Sequence, residues 1–275
     1  MVKKLVKSTL RPLLGKSGTQ WVFESMRQLA MAGMNYGDSG ALQFSGEERV
    51  VDHVTNSLAQ RLPRESSITV FDVGANVGNY SLMLIPRMKR VFPKGRVQTF
   101  EPSGPTFATL NETLKGFDCV QFNQIAFSDQ PGTSTLFQVF PGSGYASLFN
   151  REEGSLKQFG IKTAIKEEIT LSTIDIFCKG NNVDHIHFLK IDTEGAELSV
   201  LKGAQSMLNN GAVDYIQFEF SEGCLDSRTY LKDFFELLGD RYRISRVLRN
   251  GLRVLPTYQA KFEVFACANY LAEKI

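Results

Sequence analysis

The sequence predicts an α/β fold built on a mostly parallel sheet of seven strands with an antiparallel edge. Short apolar runs alternate with helical patterns from residue 68 onward, in the order that right-handed β–α–β crossovers require. Two of these runs, Ile68–Val73 and Ile186–Ile191, lead into turns that hold carboxylates and glycines. The last two predicted strands are joined by a loop too short to hold a helix, so we expect them to pair antiparallel. Ligands bind at the carboxyl ends of strands in an open parallel sheet, and both turns therefore point to one crevice.

The composition is that of a soluble globular protein. The 275 residues suffice for one large α/β domain with an appendage, and 43% hydrophobic and 22% charged residues are ordinary values. A net charge of +2 gives no argument for binding nucleic acid. No apolar run predicts a membrane span, and the first residues lack the pattern of a signal peptide. The four cysteines are far apart and form no metal or redox motif, so we expect reduced thiols and a cytoplasmic protein.

Residues 1–60 are predicted to form an N-terminal helical extension and residues 61–275 the main domain. Apolar residues recur at helical spacing between Val2 and Leu14, lysines and arginines fill the other positions, and no acid precedes Glu24. This pattern predicts a short basic amphipathic helix that Pro12 interrupts. Two interpretations remain open: the helix rests on an anionic membrane or a partner, or it packs on the domain with a solvated basic face.

The remaining elements follow in order along the chain. After a loop over residues 31–46, a capping box at Ser45–Glu48 predicts a helix to about Leu62. The predicted strands are Ile68–Val73, Arg96–Phe100, Val120–Phe127, Ile186–Ile191, Tyr215–Phe220, Tyr242–Val247 and Phe262–Ala268, with helices at Asn79–Lys89, Thr106–Leu114, Ala196–Leu208 and Arg228–Leu238. An insertion holds a further strand, Thr133–Phe140, and a glycine-rich segment, Pro141–Ser147, which is either a lid over the crevice or a plain surface loop.

The turn after the first strand carries the strongest chemical signal. It reads Asp-Val-Gly-Ala-Asn-Val-Gly from Asp72 to Gly78, and glycine lets a ligand approach the backbone closely. Glu101, at the end of the second strand, is placed to bind ribose hydroxyls. The glycines do not match the G-x-G-x-x-G fingerprint of dinucleotide sites. Asp72 would repel a pyrophosphate but suits the amino group or sulfonium of S-adenosylmethionine, so this cofactor is favoured over NAD.

Four segments carry a resemblance to a known family: Phe71–Gly78, Phe100–Pro102, Asn123–Asp129 and, most specifically, Leu189–Glu197 with Val200–Ala204. Together they resemble the FkbM family of class I S-adenosylmethionine-dependent methyltransferases. The resemblance implies a three-layer Rossmann-like methyltransferase fold and O-methylation, often of sugar hydroxyls. It places Asp72, Gly74, Ala75, Asn76 and Gly78 around the methionine moiety, Glu101 on the ribose, Gln124 and Ile125 near the adenine, and Asp192 beside the transferable methyl group.

Methyl transfer requires an acceptor oxygen held in line with the methyl group and a group that takes its proton. Asp192, at the tip of the fourth strand, is the first candidate for this base, and Glu219, near the end of the fifth, is the second. Both could instead hold Mg²⁺ or Mn²⁺, an alternative that is less favoured because no third ligand is obvious.

The other ionisable residues near these strands have structural interpretations. Glu194 and Glu197 lie at a helix start, where carboxylates cap free N–H groups. Lys190 lies within an apolar strand and needs an acidic partner. His53, His185 and His187 are interpreted as packing or surface residues.

The leading hypothesis is an S-adenosylmethionine-dependent O-methyltransferase that acts on a sugar hydroxyl of a glycan, a surface polysaccharide or a glycosylated metabolite. Two alternatives remain: a nicotinamide-dependent oxidoreductase, and a methyltransferase fold that only binds a ligand or partner. The expected partners are a small-molecule or glycan acceptor and, through the basic N-terminus, a membrane surface, but no nucleic acid. The acceptor and the oligomeric state are left open.

Overall fold

The computed structural model describes residues 11–37 and 45–275. Most of the predicted basic helix, residues 2–10, lies outside these ranges. Residues 11–15 form a turn, and a helix that the sequence did not predict, α1 (Gln20–Gly33), follows. Across the described ranges, no helix has the length and apolar character needed to cross a membrane.

The main sheet has eight strands in the described residues. They are β1 (Thr69–Val73), β2 (Arg96–Phe100), β3 (Val120–Asn123), β7 (Ile186–Ile191), β8 (Val213–Phe220), β9 (Tyr242–Leu248), β10 (Gly251–Val254) and β11 (Ala268–Lys274), in the spatial order β10-β9-β11-β8-β7-β1-β2-β3. Strands β3, β2, β1, β7 and β8 are parallel, and β11 runs antiparallel to both β8 and β9. The mostly parallel α/β fold is therefore confirmed, with one strand more than predicted because a tight hairpin adds β10.

The last strand differs from the prediction. It begins at Ala268, where the predicted strand Phe262–Ala268 ends. Tyr270, Leu271 and Ala272 are fully buried because β11 is inserted between β8 and β9 rather than placed at the edge. Phe262 and Phe265 belong to an irregular segment that packs on the core while only partly buried. Apolar content alone did not distinguish this packed segment from a strand.

The described residues form nine α-helices. They are α1 and then α2 (Glu47–Ala59), α3 (Asn79–Val91), α4 (Gly104–Leu114), α5 (Ile174–Gly180), α6 (Glu197–Lys202), α7 (Gln205–Asn209), α8 (Gly223–Asp226) and α9 (Leu231–Leu238). Val70 packs with α2, α3 and α4, whereas its neighbour Phe71 packs with α5, α6 and α9. Because successive strand residues point to opposite faces, these are two cores on the two sides of one sheet, and the fold has three layers.

Several predicted helix limits shift. The predicted helix Ala196–Leu208 is divided into α6 and α7 at Gly203, where a Cβ would lie 2.1 Å from the carbonyl oxygen of Ser128. Pro86 lies inside α3, which continues to Val91. Val50 and Val54 of α2 are buried in the core of the sheet, and the proposed domain boundary at residue 60 stays a prediction.

The insertion forms a second, three-stranded sheet. It contains β4 (Ala126–Phe127), β5 (Gly132–Gln138) and β6 (Ile165–Ser172), in the order β4-β6-β5. The predicted strand Val120–Phe127 is therefore two strands, because the chain leaves the main sheet after Asn123. The predicted strand Thr133–Phe140 corresponds to β5, whereas β6 was not predicted.

Candidate active site

The turns after β1 and β7 meet at the carboxyl edge of the sheet. Val73 pairs with Ile191, and the N–H of Asp192 donates to the carbonyl of Val73 at 2.9 Å. Gly74 has a φ of +79°, and a Cβ there would lie 1.8 Å from the carbonyl oxygen of Asp192. A side chain at residue 74 would force these turns apart, so the glycine fixes the position of Asp192 relative to the first turn.

A cavity of about 120 Å³ opens where these turns meet. Of the ten residues predicted for the site, five line it: Gly74, Asn76, Glu101, Ile125 and Asp192. The structure thus brings the ends of β1, β2 and β7 and the segment after β3 to one cavity. Its far wall comes from the insertion, including Leu136, Ser143 and Leu148.

The other five predicted residues do not line the cavity. Ala75 is buried in the core, Gly78 begins α3 against Leu110, and Gln124 is exposed. Glu219 lies beside the cavity, where it accepts a hydrogen bond from the thiol of Cys267 at 3.0 Å.

Asp72 is the fifth, and the structure places it outside the cavity lining. It is a residue of β1 itself, so strand alternation turns its side chain toward α3 rather than over the sheet edge. The carboxylate is fully buried and accepts a hydrogen bond from the hydroxyl of Ser81 at 2.6 Å. Burial raises the pKa of Asp72. The carboxylates that follow β7, Asp192 and Glu194, line the cavity and are closer to a ligand there than Asp72 is.

Glu101 is a desolvated carboxyl group at the end of β2. Its Oε2 accepts from the N–H of Asn76 at 3.1 Å and its Oε1 accepts from the N–H of Ser103 at 2.9 Å. Burial raises the pKa of Glu101 from 4.5 to about 7 despite these two bonds. Each oxygen can accept one more hydrogen bond, so the group suits a ligand with hydroxyl donors.

Asn76 is held in the left-handed region, with a φ of +50°. Its Nδ2 donates to the carbonyl of Ser143 at 3.4 Å, which joins the first turn to the insertion. Its Oδ1 is buried without a hydrogen-bond partner among residues 11–37 and 45–275. A buried acceptor in this state favours a ligand that supplies a donor.

Three carboxylates meet beside the cavity. Oxygens of Asp192, Glu194 and Glu219 all lie within 4.8 Å of one another. Burial and the charge of Asp192 raise the pKa of Glu194 to about 8, and the same causes raise the pKa of Glu219 well above its usual 4.5. Close carboxylates cannot all ionise together, so burial and the charge of Asp192 push Glu194 and Glu219 toward their protonated forms.

Lys190 supports the charge of Asp192. Its Nζ donates to Asp192 Oδ2 at 2.8 Å and lies 4.5 Å from the centroid of the Tyr80 ring. Burial opposes the charged form, but Asp192, Asp72 and Glu47 together outweigh it and raise the pKa of Lys190. The lysine is therefore a buried structural partner, as its place in an apolar strand suggested, while the contribution of Glu47 from α2 was not foreseen.

The turn after β7 is held by a carboxylate. Glu194 and Gly195 have φ values of +56° and +112°. Glu197 accepts hydrogen bonds from the N–H groups of Thr193 at 2.8 Å and Gly195 at 3.0 Å. Glu197 is therefore a capping residue of this turn, as interpreted from the sequence, whereas Glu194 also lines the cavity.

The insertion is fastened over the cavity by contacts that the sequence did not indicate. The N–H of Gly142 donates to Thr106 Oγ1 at 2.9 Å, and the Ser147 hydroxyl donates to the carbonyl of Glu194 at 2.7 Å. Arg151, which is buried, binds Glu194 Oε2 at 2.6 Å and lies 3.5 Å from Asp226 Oδ2. The length and glycine content of the segment marked it as a candidate lid, but Arg151 belongs to no motif.

Two side-chain clusters in the described residues have the composition of metal sites. In the first, Asp192, Glu194 and Glu219, the structure supplies the third carboxylate that the sequence lacked. However, Lys190 and Arg151 already pair with two of the three at 2.8 and 2.6 Å. A divalent cation would compete with both.

The second cluster, His185, His187 and Asp214, lies at the opposite edge of the sheet. The N–H of Thr69 donates to His187 Nδ1 at 3.0 Å, so the neutral ring keeps its proton on Nε2 and offers no free lone pair. Burial and the neighbouring His185 lower the pKa of His187 to about 4. These histidines are structural, as is His53, which pairs with Glu273 at 2.8 Å.

Comparison with known proteins assigns the family. The sequence profile described as the Methyltransferase FkbM domain matches residues 72–242. The chain belongs to the FkbM methyltransferase family. The matched range begins at the end of β1 and includes the whole cavity wall described above.

Named relatives of this FkbM-family protein are also methyltransferases. Methyltransferase sdnD of Sordaria araneosa is 28% identical over 186 residues, 58% of this chain and 68% of sdnD. The 2-O-methyltransferase NoeI of Sinorhizobium fredii (strain NBRC 101917 / NGR234) is 26% identical over 175 residues, 59% of this chain and 69% of NoeI. The solved structure of Methyltransferase FkbM from Methylobacillus flagellatus KT aligns with 77% of this chain at 19% identity and a TM-score of 0.44. This chain spans 45% of that solved protein.

Proposed function

We propose that this FkbM-family methyltransferase uses S-adenosylmethionine to methylate a hydroxyl oxygen, with a sugar of a glycan, a surface polysaccharide or a glycosylated metabolite as acceptor. The observation that carries the proposal is the cavity itself. It is lined both by Glu101, a carboxyl group suited to bind ribose hydroxyls, and by Asp192, a group suited to take a proton. The name of NoeI, a 2-O-methyltransferase, supports transfer to oxygen.

The residues that line the cavity fit S-adenosylmethionine. Glu101 has free acceptor capacity for two ribose hydroxyls, and Asn76 Oδ1 is a buried acceptor whose hydrogen bond no described residue supplies. Gly74 also lines the cavity. Asp192, which lines the cavity, provides negative charge for an amino group or a sulfonium. The bound cofactor would supply the electrophilic methyl group.

The protein's own residues would orient the acceptor and move its proton. Asp192 is about one third exposed and lines the cavity, so an acceptor hydroxyl can reach its carboxylate. Lys190 holds one oxygen of Asp192 at 2.8 Å and leaves the other for the hydroxyl. Glu219 is the weaker candidate base, because burial and the charge of Asp192 raise its pKa and favour its protonated form. The insertion over the cavity would exclude water from the reacting oxygen.

The first experiment is calorimetric titration of S-adenosylmethionine, S-adenosylhomocysteine and NAD into the purified protein. Binding of the two sulfur compounds and not of NAD supports the cofactor assignment and argues against an oxidoreductase. Failure of both sulfur compounds to bind would contradict it. Binding without transfer to any sugar acceptor in a panel would favour the non-catalytic alternative.

Asp192→Asn separates binding from chemistry. A general base typically accelerates proton transfer by about 100-fold or more, so the variant should bind S-adenosylhomocysteine as the wild type does and transfer methyl at least about 100-fold more slowly. Glu219→Gln is the matched control and should retain most activity, because burial and the charge of Asp192 already push Glu219 toward its neutral form. Full activity in Asp192→Asn would remove Asp192 from the proton transfer.

A further inference from the structure

Helix α1 presents an apolar surface that no residue of the described ranges covers. None of its 14 residues is buried. Trp21, Met26 and Leu29 are 69%, 56% and 75% exposed, and Met34, just after the helix, is 38% exposed. Single exposed apolar residues are ordinary on a soluble domain, but several large ones on one helix mark an interaction surface.

The same segment concentrates positive charge. The first 34 residues contain six lysines and arginines and one glutamate, a net charge of +5, whereas the whole chain carries +2. The remainder of the chain is therefore net negative. Arg11, Lys16 and Arg27 are exposed beside the apolar residues of α1. Apolar and cationic residues on one exposed segment are complementary to an anionic bilayer, where tryptophan favours the headgroup region.

The chain just after α1 is fixed to the sheet edge that holds the candidate active site. The Asn35 side chain donates to the carbonyl of Val247 at 3.2 Å, near the end of β9. The N–H of Gly37 donates to the carbonyl of Cys267 at 2.8 Å, directly before β11. The thiol of Cys267 in turn donates to Glu219. Asn35 and Gly37, which follow α1 directly, therefore lie at the same edge of the sheet as the cavity.

We propose that α1, together with Arg11 and Lys16, binds an anionic lipid surface, with Trp21, Met26 and Leu29 entering the headgroup region. The binding places the carboxyl edge of the sheet next to the membrane. Cationic side chains draw the segment to the surface, and apolar burial holds it there. This proposal does not depend on the proposed methyl transfer, and its test does not measure activity.

The test uses the tryptophan of α1. Trp21 is the single tryptophan of the chain, so its emission reports on α1 alone. The full-length protein is mixed with vesicles of phosphatidylcholine alone or of phosphatidylcholine with phosphatidylglycerol. We expect a shift of Trp21 emission to shorter wavelength and co-flotation with the anionic vesicles only, both weakening as salt is raised.

Leu29→Glu tests the apolar contact, and Ile176→Glu is the matched control. Leu29 is exposed, so this variant should fold, which its thermal unfolding checks; it should bind anionic vesicles at least about tenfold more weakly. Ile176, 51% exposed on α5, should tolerate the same change with wild-type vesicle binding. Titration of S-adenosylhomocysteine into each variant separates failure of this proposal from failure of the cofactor assignment.

Three results would overturn the proposal. The first is an unchanged Trp21 emission with both kinds of vesicle. The second is equal binding to neutral and anionic vesicles, or wild-type binding by Leu29→Glu. The third is a wild-type dimer that Leu29→Glu dissociates while vesicles leave Trp21 emission unchanged, which would assign the face to a second copy of the chain.

Discussion

Replacing Glu101 by glutamine should change how the stability of the protein depends on pH. The Glu101 carboxyl group is 6% exposed and accepts hydrogen bonds from the backbone of Asn76 at 3.1 Å and Ser103 at 2.9 Å. Burial nonetheless raises its pKa from 4.5 to about 7, because the loss of water outweighs these two bonds. The folded protein therefore holds this proton more tightly than the unfolded chain does.

The sign and size of the effect follow from those two values. The stabilisation from proton binding at Glu101 is fully present below pH 4.5 and is lost as the pH rises through about 7. Between about pH 5 and about pH 8, the loss of this stabilisation lowers the free energy of unfolding of the wild type by about 2.5 kcal/mol. Glutamine does not titrate, so Glu101→Gln lacks this contribution. Groups that titrate alike in both proteins cancel in the difference.

The assay is urea unfolding followed by far-ultraviolet circular dichroism at several pH values from about 5 to about 8. Tryptophan fluorescence is unsuitable, because the only tryptophan lies on the exposed helix α1. As the pH rises, the free energy of unfolding of Glu101→Gln should improve by about 2.5 kcal/mol relative to the wild type. Glu168→Gln, at an exposed glutamate, controls for the loss of one negative charge. Parallel curves for wild type and Glu101→Gln would refute the reasoning.

Three further outcomes are expected. Arg151→Met should lower the free energy of unfolding by about 3 kcal/mol, because the carboxyl groups of Glu194 and Asp226 lose their buried cation; an unchanged urea midpoint would show that Arg151 does not fasten the insertion. Gly74→Ala should cost more than about 2 kcal/mol in thermal unfolding, since its Cβ would lie 1.8 Å from the carbonyl oxygen of Asp192, and a wild-type melting temperature would contradict this clash. A chelator should leave methyl transfer unchanged, because two of the three carboxylates already have cationic partners; activity lost with chelator and restored by Mg²⁺ would instead assign a metal.

The sequence predicted those parts of the site that depend on local constraints. Gly74 and Asp192 each follow an apolar strand directly. A short apolar run that ends in a glycine or a carboxylate can be recognised from a few consecutive residues, so both positions were predictable. Their meeting follows from the parallel order of the sheet. Asp72 shows the limit of this reasoning, because the exact end of β1 decides whether its side chain faces α3 or the cavity. A shift of one residue reverses the face in a strand.

The charge balance of the site was not predictable, because each partner comes from a distant segment. Arg151 lies 43 residues before Glu194, in an insertion whose strand β6 was not predicted. Glu47, on α2, adds to the negative charge that keeps Lys190 protonated. Such contacts depend on how three segments pack, and no spacing in the sequence encodes that packing.

These distant partners decide which carboxylate can act. Each of the three close carboxyl groups has a different partner: Glu194 pairs with Arg151, and Glu219 accepts a hydrogen bond from the thiol of Cys267. The buried lysine lies 2.8 Å from Asp192, while Glu194 and Glu219 are pushed toward their protonated forms by burial and by the charge of Asp192. The separation of roles among similar residues thus arises from the environment that the fold supplies. Exchanging Asp192 and Glu219 in sequence would therefore not exchange their functions.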